Sequence, residues 1–283
     1  MLIREQVRDA IEGFQIPFGE LGIDAYGTSK THLQSALTAL GFLYRHYFTV
    51  ETRGIENVPP RGRAMLVGNH SGGIAIDAAM IIAACALEMR PPRLAQTMTD
   101  KFLARMPLLG TWTSRMGQLI GLPQHAERLL ADERLLLVFP EGTRGTAKLY
   151  RDRHSLVDFG TGFMRLALRT RTPIIPVAVL GGSEAFPTIA NSYSLGRYLG
   201  VPYVPVVAYG LPVPFPAKIE IQFGSPMRPC ADSHDDNSVI ASYVDEVKDA
   251  ISQMVQAGAR RRRGVVPESG SVGPQDGGPG ESP

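Results

Sequence analysis

The sequence contains few cysteines and no long apolar run, and each absence excludes a class of protein. Cys85 and Cys230 are the only cysteines among 283 residues, too few for a disulfide framework or a zinc site built from cysteines. The longest apolar helical stretch, residues 78–87, is about half of the roughly 20 residues that a membrane-spanning helix requires. Residues 1–13 lack the apolar core of a signal peptide. We therefore predict a protein of the reducing cytoplasm that is not exported and has no transmembrane segment.

The chain also lacks a strong charge of either sign. It has 29 Lys and Arg against 27 Asp and Glu, whereas a nucleic-acid-binding domain usually carries a clustered basic excess, so no nucleic-acid partner is expected. Neither a GxxxxGK[ST] loop nor a GxGxxG loop after a strand is present, which argues against those two nucleotide-binding sites. The one concentration of charge, Arg260–Arg263, is either an anchor to anionic lipid, worth about 1 kcal/mol per residue, or a solvated boundary before the tail.

Residues 1–50 have a helical pattern with an aromatic end. Apolar and aromatic side chains recur at spacings of three and four: Leu33, Leu37, Leu40, Leu43, Tyr44 and Tyr47. This spacing places them on one face of a helix. The helix either packs on the catalytic core or rests on a bilayer with its aromatic residues at the headgroup level.

From Val50 onward, short apolar runs alternate with helical patterns. Strands are predicted at 64–68, 135–139, 174–180 and 219–223, and helices at 77–89, 126–132, 160–169 and 238–255. This alternation predicts an α/β domain over residues 51–255, with a largely parallel central sheet flanked by helices and preceded by the N-terminal helical segment. Residues 256–283 are predicted to form a disordered tail, since residues 264–283 are rich in Gly, Pro and Ser.

A first candidate site follows the strand at 64–68. His70 comes at the carboxyl end of this strand, where ligands bind in α/β sheets, and a neutral imidazole there can accept a proton from a hydroxyl near pH 7. Asp77 either orients this imidazole or serves as the N-cap of the next helix; the two roles are compatible because each needs one carboxylate oxygen. The alternative for His70 is a loop histidine bonded to the backbone.

A second candidate site follows the strand at 135–139. Gly142 permits close backbone approach, Thr143 offers a hydroxyl, and Arg144 supplies a guanidinium that matches a phosphate. Glu141 is expected either to orient Arg144 or to bind a glycerol hydroxyl. The alternative is an ordinary turn with a surface ion pair.

A third segment, residues 172–179, has the pattern of an apolar strand entered through Pro173. Its second proline, Pro176, suits an edge strand or a bulge better than an interior position, because proline has no N–H to donate. On its own this pattern is more often plain core than a wall of a binding site.

The three segments, in this order, resemble the glycerolipid acyltransferases of the lysophosphatidate acyltransferase type. The family's blocks are Asn-His…Asp, Phe-Pro-Glu-Gly-Thr-Arg and Val/Thr-Pro-Ile-x-Pro-Val; here they appear as Asn69-His70…Asp77, 139–144 and 172–177. The match spans residues 50–230. The resemblance implies a glycerolphosphate acyltransferase-like fold and direct transfer of a fatty acyl group from acyl-CoA or acyl carrier protein to a lipid hydroxyl.

The resemblance also implies roles for individual residues. His70 is the base, Asp77 orients it, and backbone amides stabilise the oxyanion. The substrate-binding residues would be Asn69, Ser71, Glu141, Gly142, Thr143, Arg144, Pro173, Ile175 and Pro176. No metal or other cofactor is required, and the partners are an acyl thioester donor and a membrane lipid acceptor. We expect peripheral association with the cytoplasmic face of a membrane.

Two departures from the family pattern affect the acceptor. Six residues separate His70 and Asp77, where the family usually has four, and the Gly-rich block at 116–123 lacks the usual Arg, for which Arg115 or Arg128 would substitute. The extended His70…Asp77 spacing, together with residues 181–185 and the Pro-rich segment 203–216, also resembles relatives that acylate neutral lipids such as diacylglycerol or fatty alcohol. Tyr198, Tyr203, Tyr209 and Phe215 either contact lipid or pack against the core.

Two further alternatives remain open from the sequence. One is a hydrolase of acyl esters or thioesters, although no GxSxG elbow supplies a serine nucleophile. The other is a non-catalytic lipid-binding relative, which the altered His…Asp spacing and the missing Arg would fit.

Overall fold

The structure is a computed structural model that describes residues 3–71, 75–99, 109–210, 213–230 and 236–264. Its N-terminal part contains α1 (Ile3–Gly13), α2 (Lys30–Phe42) and a π-helical turn, Leu43–Tyr47. The predicted helical segment is interrupted at residues 14–29, where the chain forms turns. Gly22 and Gly27 take positive φ angles there, 68° and 87°, which L-residues adopt only at a cost and which a helix does not contain.

The central sheet has seven strands in the order β1-β9-β6-β2-β5-β3-β4. The strands are β1 (Val50–Arg53), β2 (Ala64–Gly68), β3 (Ala95–Thr99), β4 (Leu119–Ile120), β5 (Leu135–Val138), β6 (Ile174–Leu180) and β9 (Ile219–Phe223). All neighbouring pairs are parallel except β6 and β9. The predicted α/β fold with a largely parallel sheet is confirmed. A separate antiparallel pair is formed by β7 (Thr188–Ser192) and β8 (Val204–Val207).

Helices cover both faces of the sheet. The longer ones are α3 (Ile76–Leu87), α4 (Leu109–Arg115), α5 (Pro123–Ala131), α7 (Gly162–Thr170), α9 (Tyr193–Leu199) and α10 (Asn237–Arg262), with the short turns α6 (Thr143–Thr146) and α8 (Gly182–Ala185). Leu66 of β2 joins the core cluster that includes α1, α2 and α3, whereas Met65 and Val67 join the cluster with α5, α7 and α10. Alternate side chains of a strand point to opposite faces, so β2 is buried on both sides.

Two sequence expectations change in the structure. Pro176 lies in the interior strand β6, not at an edge, and its C=O accepts from Gly224, one residue past the end of β9. The N–H and C=O groups of a strand residue point to the same side of the strand. The N–H that Pro176 lacks would therefore point toward β9, at a position where the regular β6–β9 pairing has ended. The last helix continues to Arg262, so residues 256–262 are helical and not part of a tail. The predicted tail beyond 264 lies outside the described residues.

Candidate functional site

His70 lies two residues beyond β2, at the carboxyl edge of the sheet. The residue is 7% exposed, and its ring stacks on the ring of Phe139, with centroids 4.0 Å apart and planes 11° from parallel. Phe139 follows the adjacent strand β5, and it fits beside β2 because Gly68 has no side chain; a Cβ there would lie 3.0 Å from the Phe139 ring. The aromatic wall therefore fixes the imidazole plane.

Asp77 reaches His70 despite the six-residue gap. Oδ2 of Asp77 lies 2.9 Å from Nδ1 of His70 and accepts the main-chain N–H of Ser71 at 2.9 Å. The helix N-cap is Ala75, not Asp77, but Oδ1 of Asp77 accepts the N–H of Ala78 in the first turn. Oδ2 thus orients the imidazole, and Oδ1 bonds to the backbone of the helix. Because Nδ1–H donates to Asp77, the lone pair of the imidazole lies on Nε2.

The electrostatics of Asp77 keep it ionised. Complete burial alone would raise the pKa of Asp77, but the neighbouring His70 and the hydrogen bonds from His70, Ser71 and Ala78 outweigh it and hold the pKa below its ordinary value. A buried carboxylate that stays charged can orient the imidazole and stabilise the imidazolium that forms when His70 takes a proton.

Glu141 has a different role from either one predicted. Its side chain is buried; Oε1 accepts the main-chain N–H of His70 at 2.8 Å, and Oε2 accepts the N–H of Val157 at 2.9 Å. Its ion-pair partner is the buried Lys148, whose Nζ lies 3.0 Å from Oε2, and not Arg144. Glu141 therefore positions the His70 backbone and does not offer its carboxylate to a substrate hydroxyl. Lys148 is a site residue that the sequence analysis missed.

The remaining part of the second segment wraps around His70. Gly142 adopts φ 57°, ψ −149°, a glycine conformation, and Thr143 begins the short turn α6. A Cβ on Gly145 would lie 2.6 Å from Cβ of Glu141 and 2.9 Å from Cβ of His70, so this loop abuts the imidazole. Arg144 is exposed and donates from Nη2 to the Asp158 carbonyl at 3.0 Å. The predicted anion-binding residues Gly142, Thr143 and Arg144 all remain accessible.

Asn69 and Ser71 flank His70 but face the protein. The Asn69 amide donates to the Val179 carbonyl at 3.1 Å and accepts the Val179 N–H at 2.8 Å, which ties the end of β2 to β6. Oγ of Ser71 is buried with no hydrogen-bond partner among the described residues, and it lies against Gly182, where an added Cβ would meet it at 2.0 Å. Asn69 therefore has a structural role, joining β2 to β6, and is not a substrate ligand.

The third predicted segment does not reach the site. Because β2 and β6 are parallel, with Met65 opposite Ile174, Pro173 lies at the amino edge of the sheet, opposite to His70. Ile175 and Pro176 are buried in β6. The structure therefore does not bring Pro173, Ile175 and Pro176 to His70; Ile175 and Pro176 belong to the interior strand that carries Val179 to Asn69.

An apolar cavity of about 240 Å³ is lined in part by Ala78 and Ala79, the two residues that follow Asp77 on α3. Its walls come from α2, α3, α4 and β3, and include Leu33, Leu37, Leu40, Ile82, Leu94, Trp112 and Met116. The apolar face of α2 thus packs toward α3 and lines this cavity, so that face is not available to a bilayer. Such a cavity has the chemistry of an acyl-chain site.

A second, more polar cleft of about 560 Å³ contains both arginines considered as substitutes for the missing family Arg. Arg115 and Arg128 line it together with His125 and Tyr26, and Arg128 lies over the Tyr26 ring at 5.5 Å. The cleft also includes Thr99 and Ile120, the carboxyl ends of β3 and β4. It therefore opens on the same sheet edge as His70, about two to three strand spacings (~10–14 Å) away.

The described part of the chain offers neither a metal-binding group of side chains nor a membrane-spanning helix. In the part of the chain that the structure covers, no group of three or more His, Cys, Asp or Glu side chains is arranged to hold a metal ion. Within the same residues no helix is both long and apolar enough to cross a membrane.

The chain is similar to known proteins in both sequence and fold. The family model described as Acyltransferase matches residues 49–180. An uncharacterised protein of Mycobacterium tuberculosis is 32% identical over 92% of this chain and 76% of its own length. A human protein named DGAT1/2-independent enzyme synthesizing storage lipids is 24% identical over 72% of this chain and 60% of its own.

The fold has a solved counterpart. The crystal structure of the 1-acyl-sn-glycerophosphate acyltransferase of Thermotoga maritima superposes with a TM-score of 0.55, covering 81% of this chain and 79% of that chain at 18% sequence identity. At this identity the likeness shows the fold alone. Taken with the family match and the relatives, it places the chain: the protein belongs to the acyltransferase family and has the lysophosphatidate acyltransferase fold.

Proposed function

We propose that the protein transfers a fatty acyl group from acyl-CoA or acyl carrier protein to a hydroxyl of a glycerolipid such as lysophosphatidate or another lysophospholipid. The observation that carries this proposal is the buried His70–Asp77 pair, with 2.9 Å between Nδ1 and Oδ2. An apolar cavity that is lined by Ala78, the residue after Asp77, supports it. A base and an adjacent acyl-chain site are what acyl transfer between lipids requires.

The proposed reaction is a direct transfer. Nε2 of His70 removes the proton of the acceptor hydroxyl while the oxygen attacks the thioester carbonyl, and backbone amides nearby stabilise the tetrahedral oxyanion. Collapse of this intermediate breaks the C–S bond, and the imidazolium returns the proton to the departing thiolate. The ionised Asp77 stabilises the imidazolium between these two steps. Protons balance, and no cofactor beyond the acyl donor enters.

Acceptor recognition is proposed for two basic regions. Arg144, with Thr143, lies on the loop that abuts His70, and the cleft with Arg115 and Arg128 opens on the same sheet edge. A guanidinium donates two parallel hydrogen bonds to a phosphate, so these side chains suit the phosphate of a lysophospholipid or of coenzyme A. Association with the cytoplasmic face of a membrane is part of the proposal, since the acceptor resides there.

A neutral-lipid acceptor is the second candidate. It is favoured by the resemblance, at 24% identity, to proteins named as synthesising storage lipids in human and cattle. A diacylglycerol or fatty alcohol has no phosphate, so a protein of this kind would use the arginines only for the donor.

One experiment separates the two acceptors. The purified protein is incubated with labelled acyl-CoA, or acyl carrier protein, and a panel of lysophosphatidate, other lysophospholipids, diacylglycerol and fatty alcohol, and the products are identified by mass. A doubly acylated phospholipid is the expected product. Triacylglycerol or wax ester would establish the second candidate, free fatty acid alone would indicate a hydrolase, and binding without turnover would indicate a non-catalytic relative.

A further inference from the structure

The exposed apolar residues of this protein are concentrated in one part of the chain. Among the described residues, eight of the fourteen large apolar side chains that are exposed fall within residues 188–215. They are Ile189, Tyr193, Leu195, Tyr198, Leu199, Val206, Val213 and Phe215. Single exposed apolar residues are ordinary on protein surfaces, but such a concentration marks an interaction surface.

The β7–β8 pair presents an apolar face outward. Thr188 and Val207, which are partners in register, are both buried, whereas the next partners, Ala190 and Val206, are both exposed. The register shifts between Thr188 and Ala190, so Ile189 and Ala190 are both exposed, while Val206 alternates with the buried Val207. The inner face of this pair therefore rests on the protein, and the outer face carries apolar side chains. A solvated outer face usually carries polar residues instead.

Helix α9, which joins β7 to β8, is exposed along nearly its whole length. Its one buried residue is Gly196, where an added Cβ would lie 2.6 Å from Cα of Tyr203. Around this glycine the helix directs tyrosines and leucines to solvent, and Tyr198 is 86% exposed. Tyrosine and leucine on an exposed short helix are typical of a segment that rests in the interfacial region of a bilayer.

The charge of the segment suits an anionic or neutral lipid surface. Residues 185–217 contain one charged side chain, the exposed Arg197, and no Asp or Glu, although charged residues make up 20% of the whole sequence. No acidic side chain in this segment would be repelled by lipid phosphates, and no charge other than that of Arg197 would have to leave water.

The segment is joined directly to the candidate active site. Gly182, on the turn that leads into it, packs on Ser71 next to His70. Phe215 donates from its main-chain N–H to the Ala185 carbonyl at 2.8 Å, and the Asn191 side chain donates to the carbonyl of Ala147, next to Lys148, at 2.7 Å. The surface therefore adjoins the sheet edge at which a lipid acceptor would have to enter.

We propose that the outward face of residues 188–210, together with Val213 and Phe215, docks on a lipid bilayer and holds the His70 edge of the sheet against the membrane surface. The purpose of this contact rests on the proposed function, but the contact itself does not. Two other surfaces that the sequence suggested for lipid contact are already occupied in part. The apolar face of α2 lines the apolar cavity, and Arg261 and Arg262 bond to Glu220 and to the Lys218 carbonyl.

The test is a vesicle co-sedimentation measurement with the full chain. Phosphatidylcholine vesicles, with and without phosphatidylglycerol, are titrated with the wild type, the double variant Y198S/L199S and the matched control L21S/V239S. Leu21 is 90% and Val239 41% exposed, both outside the segment. We expect the double variant to bind at least about tenfold more weakly, a change of 1.4 kcal/mol, and the control to bind like the wild type.

Three results would overturn the proposal. One is equal vesicle binding by the wild type and Y198S/L199S; another is an equal loss in the control. The third is that the wild type does not bind vesicles but self-associates in solution, and that Y198S/L199S abolishes this self-association. That result would identify a second copy of the chain as the occupant of the surface. Thermal unfolding of each variant verifies that it is folded. Because no acyl donor is present, the measurement succeeds or fails independently of acyl transfer.

Discussion

Glu141 holds His70 by its backbone: the main-chain N–H of His70 donates to Oε1 of Glu141 at 2.8 Å. The catalytic candidate is thus fixed at three points, by Glu141 at the backbone, Asp77 at Nδ1 and Phe139 at the ring face. Lys148 neutralises Glu141 inside the protein. Precise placement of a base within hydrogen-bond reach of its substrate is a requirement of general base catalysis.

The buried Lys148–Glu141 pair gives the first prediction. Lys148→Met leaves the Glu141 carboxylate buried without its cation, so we expect the free energy of unfolding to fall by about 3–5 kcal/mol. The double variant E141Q/K148M should recover part of this loss, because it buries no charge. Urea unfolding measures both. The same substitution at the exposed Lys248–Asp158 pair should cost no more than about 1 kcal/mol, and an equal cost at both lysines would contradict the account.

The close approach of Gly145 to His70 gives the second prediction. In Gly145→Ala the new methyl group has to displace Cβ of both Glu141 and His70, so acyl transfer should fall at least about tenfold while the protein remains folded. Gly162→Ala is the control, since nothing lies within 4 Å of its Cβ position. If the two variants have the same turnover as the wild type, the loop does not position the base.

Asp77 gives a prediction on rate and on pH. Asp77→Asn cannot hold the imidazolium, and we expect a fall in turnover of about 10²- to 10⁴-fold. The pKa of Asp77 is lowered in the folded protein, so its carboxylate contributes stability above its unfolded pKa of about 4 and loses this contribution as the pH falls through the lower folded value.

The corresponding measurement compares unfolding free energies of the wild type and Asp77→Asn across pH. Their difference should not shrink between about pH 8 and pH 5, and it should shrink below about pH 4. A difference that already shrinks between about pH 7 and pH 6 would mean that burial raises the pKa of Asp77 enough to protonate its carboxyl group. Asp77 could then not be the orienting group.

The cleft with Arg115 and Arg128 predicts acceptor selectivity. R115A/R128A should raise the KM for lysophosphatidate about tenfold or more, because two guanidinium groups that match a phosphate are removed. The KM for diacylglycerol should stay unchanged. Arg169→Ala, at an exposed pair with Glu127 on the surface, is the control. An equal rise for both acceptors would place the arginines at the donor or in the fold instead.

Much of the architecture was predictable because the interior strands are strongly patterned. β2, β5, β6 and β9 are short apolar runs and were predicted within a residue. β3 was missed because its sequence includes Gln96, Thr97 and Thr99, whose polar groups bond to residues 117–119. Gln118 accepts from the N–H and hydroxyl of Thr97, and the side chains of Gln96 and Thr99 donate to the carbonyls of Gly117 and Leu119. Such long-range compensation leaves no local signal.

The site was predictable in part for a similar reason. His70, Asp77 and the loop at 141–144 follow predicted strands, and parallel strands bring their carboxyl ends to one edge. Lys148 carries no periodic signal, since it is one lysine in a loop that becomes buried only through Glu141. Pro173, Ile175 and Pro176 belong to the same set of sequence blocks as His70, but their place in the fold could not be predicted from the blocks: β6 is parallel to β2, so Pro173 lies at the opposite edge.

The most direct test of the account is the acyl transfer rate of His70→Ala beside that of the wild type. Both proteins are supplied with labelled acyl-CoA and the acceptor that the panel identifies, and unfolding curves establish that the variant is folded. We expect the acyl transfer rate of the folded variant to fall by at least about 10²-fold, because a general base is removed. A folded His70→Ala variant with near-normal turnover would contradict it.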